Sequence, residues 1–472
     1  MREFVGEYSD LSRWDPQNAP LAAALAQHIY RKTASFHTPG HKGRATVLKS
    51  LDSLAWDLTE LPDTGSLYDG EDVIEEAEKR AAAAFGAGHT LFSGGGCTLC
   101  IQAMLAIGIG AGGKVLMARN AHRSALNAAA LLGLQPVWLW PDGDEKSGFQ
   151  QPTVENVEKI LKAGPDIQGV YLTSPDYYGN LCDIAGIAAV CRRFGIPLLV
   201  DNAHGSHLGA FQRHPLALGA SITADSAHKT LPVLTGGAYL HTAPDFSVSR
   251  TAVKAAMALF GSTSPAFPVL ASLDLAQDWW SREGKDAFRR LAVELEELRQ
   301  ALERGGAVRP AFSDRDPLLK DPARLTLEGV SPVLDGPTLA QWLRDHGCEP
   351  EYADSRYVVL IVTPFNAPEE WDRLRQALSC VPGHWCASGG AGPVFHPLSS
   401  SRPEPVYTLR EALLQPTETV GIRQAAGRIA ARAVCPCPPG IAAIAPGEKF
   451  SEDLAEALES CGFSQVVVVK NL

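Results

Sequence analysis

No uninterrupted apolar run in the 472 residues approaches the roughly 20 needed to span a bilayer. The first residues, Met1-Arg2-Glu3-Phe4-Val5-Gly6-Glu7, lack the basic-then-apolar layout of a secretory signal. Positive charge is also scarce: 42 Lys and Arg against 53 Asp and Glu give a net charge of −11. A nucleic-acid or anionic-membrane partner would want a basic face, so neither is expected. The ten cysteines are scattered. Cys97 and Cys100 sit in a glycine loop entering a helix, and Cys435 and Cys437 are wrapped in prolines. Neither pair is placed like a zinc knuckle, so no metal is expected, and reduced thiols in a cytoplasmic protein fit better. No low-complexity run or internal repeat is present. What remains is a soluble globular chain, 45% hydrophobic and 20% charged, long enough for two or three domains.

Within it, residues 1–35 read as a helical arm with its helix over 21–26. Ser35 to Gly43 packs two histidines and a lysine around a Pro-Gly turn, a poor core and a good polar site wall. From Glu71 the spacing predicts a helix to Ala84, then a short strand at 89–92 and the loop Ser93-Gly94-Gly95-Gly96-Cys97-Thr98, with a helix starting near Leu99. Strand, glycine loop and helix together aim backbone N–H groups at a phosphate. The Lys-Ser/Thr ending of a nucleotide P-loop is missing, so that phosphate need not belong to ATP.

Strands and helices alternate from there to an apolar strand, Pro197 to Val200, that stops at Asp201. This pattern predicts a mostly parallel sheet covered on both faces, with function beyond the C-terminal strand ends. His122, Asp176, Asp201 and His204 fall just past such ends. Further on, a long amphipathic helix over 270–304, broken near Ser281, precedes a small α+β unit over 320–380. A Gly/Pro/Ser-rich linker over 381–406 leads to a last segment. That segment is expected to hold a helix carrying Leu413, Ile422, Ala426 and Ile429, another over 451–461, and an edge strand at 466–469.

One lysine stands apart. Lys229, in Ser226-Ala227-His228-Lys229-Thr230, has small neighbours and a ring, surroundings that would desolvate its amine. In chain order there are now a glycine loop entering a helix, a histidine beyond a strand, an aspartate ending a buried strand, and a lysine after Ser-x-His. Pyridoxal phosphate chemistry needs this set: an anion cradle, a stacking partner, a carboxylate for the pyridine nitrogen and a lysine for the aldehyde.

The chain resembles the Orn/Lys/Arg decarboxylase family of fold-type-I pyridoxal phosphate enzymes, in its shorter bacterial branch. The similar stretches are Phe36 to Gly43, Asp57 to Pro62, Ala84 to Ala87, Arg119 to Ser124, Asp201 to His207, Ser226 to Lys229, Thr263 to Pro265, Leu270 to Asp274, Pro438 to Ile441 and Pro446 to Glu448. They cover nearly the whole chain. The resemblance implies four parts: an N-terminal arm and active-site segment over 1–55, a cofactor-binding large domain with the mostly parallel sheet over 56–285, a small α+β domain over 286–385, and a C-terminal α+β domain over 386–472.

It also implies roles. Lys229 would be the Schiff-base lysine, Asp201 the partner of the ring nitrogen and His122 the stacking ring. Gly96, Cys97 and Thr98 would hold the phosphate, helped by Ser226 and His228. Ala203 and His204 would lie near the ring, and Thr263 and Ser264 would reach the phosphate of a partner subunit across a homodimer interface. The implied reaction is decarboxylation of a basic amino acid (lysine, arginine or ornithine), with His228 or Lys229 returning the proton. An aminotransferase or a lyase is the alternative, and Arg324 or Arg356 would then grip the α-carboxylate. A non-catalytic binding protein is disfavoured by the intact Lys229, Asp201 and His122.

The sequence departs from the family at Cys97, at Asn202 where a glutamate is frequent, across Asp63 to Glu71, and at Cys437. These departures bear on the substrate rather than on the cofactor. Glu448 and Glu351 are the carboxylates available for a distal amine or guanidinium.

Overall fold

The computed structural model describes residues 32–37, 40, 42, 60, 65–69, 73–141, 151–164, 166–314, 316–331, 333–382, 385, 402–436 and 440–470. The helix expected over 21–26, residues Thr38, Pro39, His41, Gly43 and Cys437, and most of the 381–406 linker lie outside these.

After strand β1 (Ala34–Phe36) and helix α1 (Val73–Phe85) the chain alternates through β2 (His89–Ser93), α2 (Gly96–Gly108), β3 (Lys114–Ala118), α3 (Arg123–Leu132), β4 (Gln135–Leu139), α4 (Val154–Ala163), β5 (Gly169–Thr173), α5 (Ile184–Phe194), β6 (Leu198–Asp201) and β7 (Ile222–Asp225). A single helical turn, α6 (Ala227–Thr230), then leads to β8 (Ala238–Thr242). Strands β2 to β8 form one seven-stranded sheet in the order β2-β8-β7-β6-β5-β3-β4. Every pairing is parallel except those of β8, which is antiparallel to β2 and β7. The β7–β8 connection holds one helical turn and the Gly236-Gly237 pair, with no helix long enough to cross the sheet, so the chain returns antiparallel.

Alternation within each strand explains the apolar runs. Val115, Met117, Tyr171, Leu199 and Ile222 pack on one face with Met104 and Leu126; Leu116, Val170, Leu172, Leu198 and Val200 pack on the other with Val157 and Ile187. Both faces are buried, so no polar alternation is left to read. Six of the seven strands point the same way, and the ends of β2, β3, β5, β6 and β7 open on one edge. Strand β7 escapes the sequence reading: Ile-Thr-Ala-Asp is short, and Ser221 and Ser226 on either side give it no apolar margin.

Helices α7 (Arg250–Phe260) and α8 (Phe267–Trp279) follow, and α9 (Lys285–Glu303) continues from α8 through a π-type turn, Trp280–Gly284. The break expected near Ser281 is therefore this wider turn and not an interruption. A side chain on Gly284 would come within 2.8 Å of the Trp279 ring and 2.9 Å of the Trp280 ring, so the turn needs glycine there. A second, antiparallel sheet, β12-β13-β10-β9, is built from β9 (Val308–Pro310), β10 (Arg324–Gly329), β12 (Tyr352–Ala353) and β13 (Tyr357–Ile361). Helices α10 (Gly336–Asp345) and α11 (Pro368–Ser379) pack with it, and β11 (Cys348–Pro350) pairs in parallel with β1.

The last segment corrects the reading. Its helix α12 stops after Leu409–Leu414, and Thr417–Gly421 is a strand, β14, paired antiparallel with β15 (Gln465–Val469) across from α13 (Glu452–Ser460). Pro416 cannot continue the helix, and Ile422 belongs to a 3₁₀ turn packed in a separate core with Phe450, Leu454 and Val468.

A buried ion pair ties this segment to the central sheet. Arg119, just past β3, donates to Glu448 Oε2 at 2.8 Å and to the carbonyl of Ala442 at 3.0 Å, with its guanidinium 4.9 and 5.0 Å from the Trp138 and Trp140 rings. Glu448 also accepts the N–H of Ala445 at 2.6 Å. This carboxylate is structural and unavailable to a substrate. Glu448→Ala would strand a buried guanidinium, and we predict a loss of about 3–5 kcal/mol, read as a lower denaturation midpoint; an unchanged midpoint would contradict the role.

Candidate active site

The strand ends converge on Lys229. It lies on α6, held at the end of β7, with its Nζ 2.9 Å from His204 Nε2. Burial pushes the Lys229 amine below the ordinary lysine value; Arg324 acts the same way, while Cys97, Asp201 and Glu351 oppose. The backbone of Gly40 presses on this turn, and any side chain there would fall 2.6 Å from the carbonyl carbon of Thr230. So Gly40 of the N-terminal segment does meet the site. Lys42 does not act as a site wall: it is buried, with Nζ donating to the carbonyls of His37 at 2.5 Å and Ile361 at 3.1 Å.

Asp201 ends β6 and is 2% exposed. It accepts the Tyr171 hydroxyl at 3.2 Å and the Ala203 N–H at 3.1 Å, and Cys97 Sγ lies 4.0 Å from its Oδ1. Burial raises its carboxyl from 3.8 to about 6, against the opposing pull of Lys229. A buried carboxylate with only neutral donors in hydrogen-bond contact is suited to a cation brought in from outside.

His122 caps α3, accepting the Ser124 N–H at Nδ1. Burial lowers it to about 4, so it is a neutral ring at physiological pH. Gly440 packs on that ring: a Cβ there would sit 2.1 Å from His122 Cδ2.

At the glycine loop α2 starts earlier than expected, at Gly96, whose φ of 68° is left-handed. Gly95 before it offers no side-chain cap; the Gly96 N–H is already donated to the carbonyl of Gly236 at 2.8 Å, so the open first-turn N–H groups that can meet an anion are those of Cys97 and Thr98. Thr98 is exposed there and Ser226 is buried. Cys97 turns its side chain toward Asp201, so only its backbone can serve an anion. His228 places Nδ1 3.1 Å from the carbonyl of Gly237, which makes that nitrogen the N–H donor and leaves a lone pair on Nε2. Thr263 and Ser264 are exposed on the loop before α8. Together these donors fit pyridoxal phosphate: a depressed amine, a raised buried carboxylate, a neutral imidazole and an uncapped helix start.

Two sequence candidates have other work. Asp176 closes its own turn, accepting from Tyr178 and Asn180. Arg356 is paired with Glu328 at 2.6 Å. Arg324, in contrast, reaches the site: it is buried, and Nη2 lies 3.2 Å from His204 Nδ1. Glu351 accepts the Tyr177 hydroxyl at 2.9 Å, and its charge is felt at Lys229 and His228. The sequence reading missed Tyr171, Tyr177 and Gly440 as site residues. Tyr171 alone left a signal, since a tyrosine in a fully apolar strand must find a partner for its hydroxyl.

Among the described residues one group, His214, Asp225 and His241, has metal-ligand geometry. Its hydrogen bonds read otherwise. His214 Nδ1 accepts the Leu216 N–H, so the ring proton is on Nε2 and is donated to Asp225 at 2.9 Å. Asn202 donates to the same carboxylate oxygen at 2.7 Å.

Sheet order, strand-end site and donor set define a fold-type-I α/β enzyme. The constitutive lysine decarboxylase of Escherichia coli has this fold (TM-score 0.72, 18% identity, 99% of this chain and 83% of that one), as does lysine decarboxylase A of Pseudomonas aeruginosa (TM-score 0.74, 20% identity, 95% and 80%). The Orn/Lys/Arg decarboxylase major domain matches residues 19–315 and that family's C-terminal domain matches 393–463. An arginine decarboxylase of Bacillus subtilis is 30% identical over 92% of this chain and 91% of its own length. The chain belongs to the Orn/Lys/Arg decarboxylase family. It is a decarboxylase of a basic amino acid, and pyridoxal 5′-phosphate is the cofactor the family implies.

Asp201→Asn tests the carboxylate. Its folded value lies above the unfolded one, so the stability cost of burying it builds as the pH rises from 3.8 to about 6 and is complete above that. The cofactor-free variant should therefore unfold at pH 8 no earlier than the parent, yet bind pyridoxal phosphate far more weakly. A variant less stable without cofactor would contradict this account.

Proposed function

We propose that this chain removes the α-carboxylate of a basic amino acid, arginine foremost, as CO2, using pyridoxal phosphate bound around Lys229. The observation that carries the reading is the half-buried Lys229, its amine at the strand ends against His204, together with the buried Asp201, each shifted by desolvation from its ordinary value. When bound, the cofactor supplies the electron sink for the carbanion left by CO2. Lys229 would hold its aldehyde, Asp201 would pair with the ring nitrogen and His122 would stack on the ring. The N–H groups of Cys97 and Thr98, with Ser226, would hold the phosphate, with Gly96 shaping the turn while its own N–H is donated to Gly236, and Ala203 would lie near the ring. His228 has its one N–H engaged by Gly237, and burial disfavours its protonated form, so it has no spare proton to give. Lys229 is then the donor that returns a proton to the α-carbon.

Glu351, oriented by Tyr177, would accept the distal cation of the substrate. Arginine is favoured because the Bacillus subtilis relative that matches along its length is named an arginine decarboxylase. The exposed Thr263 and Ser264 suit a contribution to a partner's site in a homodimer. We also propose a cytoplasmic location, supported by the absence of any helix among the described residues long and apolar enough to cross a membrane. The division at about 55, 285 and 385 is part of the same proposal.

Transamination is the second reading. Arg324 keeps it open, since its Nη1 is buried without a partner and suits a carboxylate.

Purified protein with pyridoxal phosphate, offered arginine, lysine, ornithine and neutral amino acids, should release CO2 and an amine from a basic one. Lys229→Ala should release none. A keto acid in place of CO2 would decide for transamination. Glu351→Gln should raise KM for the basic substrate about 10- to 100-fold with a smaller change in kcat, the range expected for one charged hydrogen bond. Equal KM values would remove Glu351 from recognition.

A further inference from the structure

Lys229 does not face His204 alone: a chain of two hydrogen bonds runs from Arg324 through the His204 ring to the Lys229 amine. Arg324 Nη2 lies 3.2 Å from His204 Nδ1, and His204 Nε2 lies 2.9 Å from Lys229 Nζ. The protons along it follow from the arginine. A guanidinium has only N–H groups to offer, so His204 Nδ1 must present its lone pair. A neutral imidazole carries one proton, which is then on Nε2. That N–H points at Lys229 Nζ, and only an amine with a free lone pair can accept it. An ammonium would set proton against proton.

We propose that Arg324 is a positioning residue that fixes His204 as the Nε2–H tautomer and thereby holds Lys229 as the neutral, nucleophilic amine. The arrangement is built. Arg324 and His204 are buried, with Lys229 and Tyr177 half-buried beside the ring, and the stem of Arg324 lies so close to Gly179 that a Cβ there would fall 2.6 Å from its Cγ. Gly179, at φ 89°, has the conformation that glycine adopts without cost. Tyr177 sets its ring edge-on to His204, with centroids 4.9 Å apart, and restrains the imidazole from the side. Burial, Lys229 and Arg324 together hold His204 well below its ordinary value, as the neutral ring the chain requires. The other charged or titratable groups acting on this pair are Asp201 on β6, Cys97 on α2, Glu351 before β12, His122 before α3, and His228 on α6.

The inference concerns the lysine assigned to the cofactor above, but its test needs neither cofactor nor turnover, so the two can fail separately. Cofactor-free, full-length protein is reductively methylated across pH, and labelling of Lys229 is followed by peptide mass spectrometry beside the exposed Lys159. Lys229 should label with a midpoint well below that of Lys159. Arg324→Met frees the tautomer, letting Nε2 accept from an ammonium, and also removes a repelling charge. Its midpoint should rise by at least one unit, about a tenfold loss of free amine near neutral pH. Arg324→Lys, which keeps a charged donor, should recover part of the shift, and His204→Ala should raise the midpoint as Arg324→Met does. If Arg324→Met does not fold, the His204→Ala comparison decides. A parent midpoint equal to that of Lys159, or a folded Arg324→Met or His204→Ala protein with the parent's profile, overturns the proposal.

Discussion

The structure depends on keeping water away from two groups of opposite sign, the Lys229 amine and the Asp201 carboxylate. In water each would be charged and of little chemical use. Without it, burial drives the amine down and the carboxyl up, so both charged states are disfavoured until something else enters the pocket. The seven-stranded sheet supplies the exclusion. Asp201 closes β6 between Thr173 of β5 and Ala224 of β7, in the middle of the strand order, where neighbours on both sides shield it.

Glycines let backbone replace solvent around that pair. Gly40 brings the N-terminal segment flat against Thr230, and Gly440 brings the C-terminal segment flat against His122. Both segments are remote in sequence from Lys229, and both depend on anchors away from the chemistry. Strand β1 is fixed by its pairing with β11, and the C-terminal segment by Arg119 and Glu448. A buried ion pair of that kind contributes little net stability, but it fixes register: Arg119 stands three residues before His122, so the ring and the loop that covers it are set by one contact.

The chemistry was more legible in the sequence than the packing. Lys229, Asp201, His122 and the glycine loop were readable because each breaks a local rule, such as a lysine among small residues or an acid ending an apolar strand. Strand β7, which aims Lys229, was not, because four residues of mixed character carry no period. Helix α12 was overextended because the apolar spacing from Leu413 continues across Pro416 by chance. Glu448 and Arg324 show the limit from the other side. Both are charged residues in unremarkable stretches, and only the fold buries one against Arg119 and brings the other to His204.

The departures at Cys97 and Asn202 converge on the same carboxylate. A glutamate at 202 would set two buried carboxylates against each other at Asp225, and one would have to take up a proton. Asn202 instead donates to Asp225 alongside His214. Burial alone would raise Asp225, but His214, His241 and Asn202 outweigh it, so Asp225 stays ionised. That fixed negative charge adds to the rise of Asp201. At 97 a threonine or serine hydroxyl in the same place would donate strongly to Asp201 and lower it, whereas a thiol is a weak donor. Both substitutions therefore leave Asp201 with a high affinity for positive charge, the property a carboxylate needs to keep a pyridine nitrogen protonated.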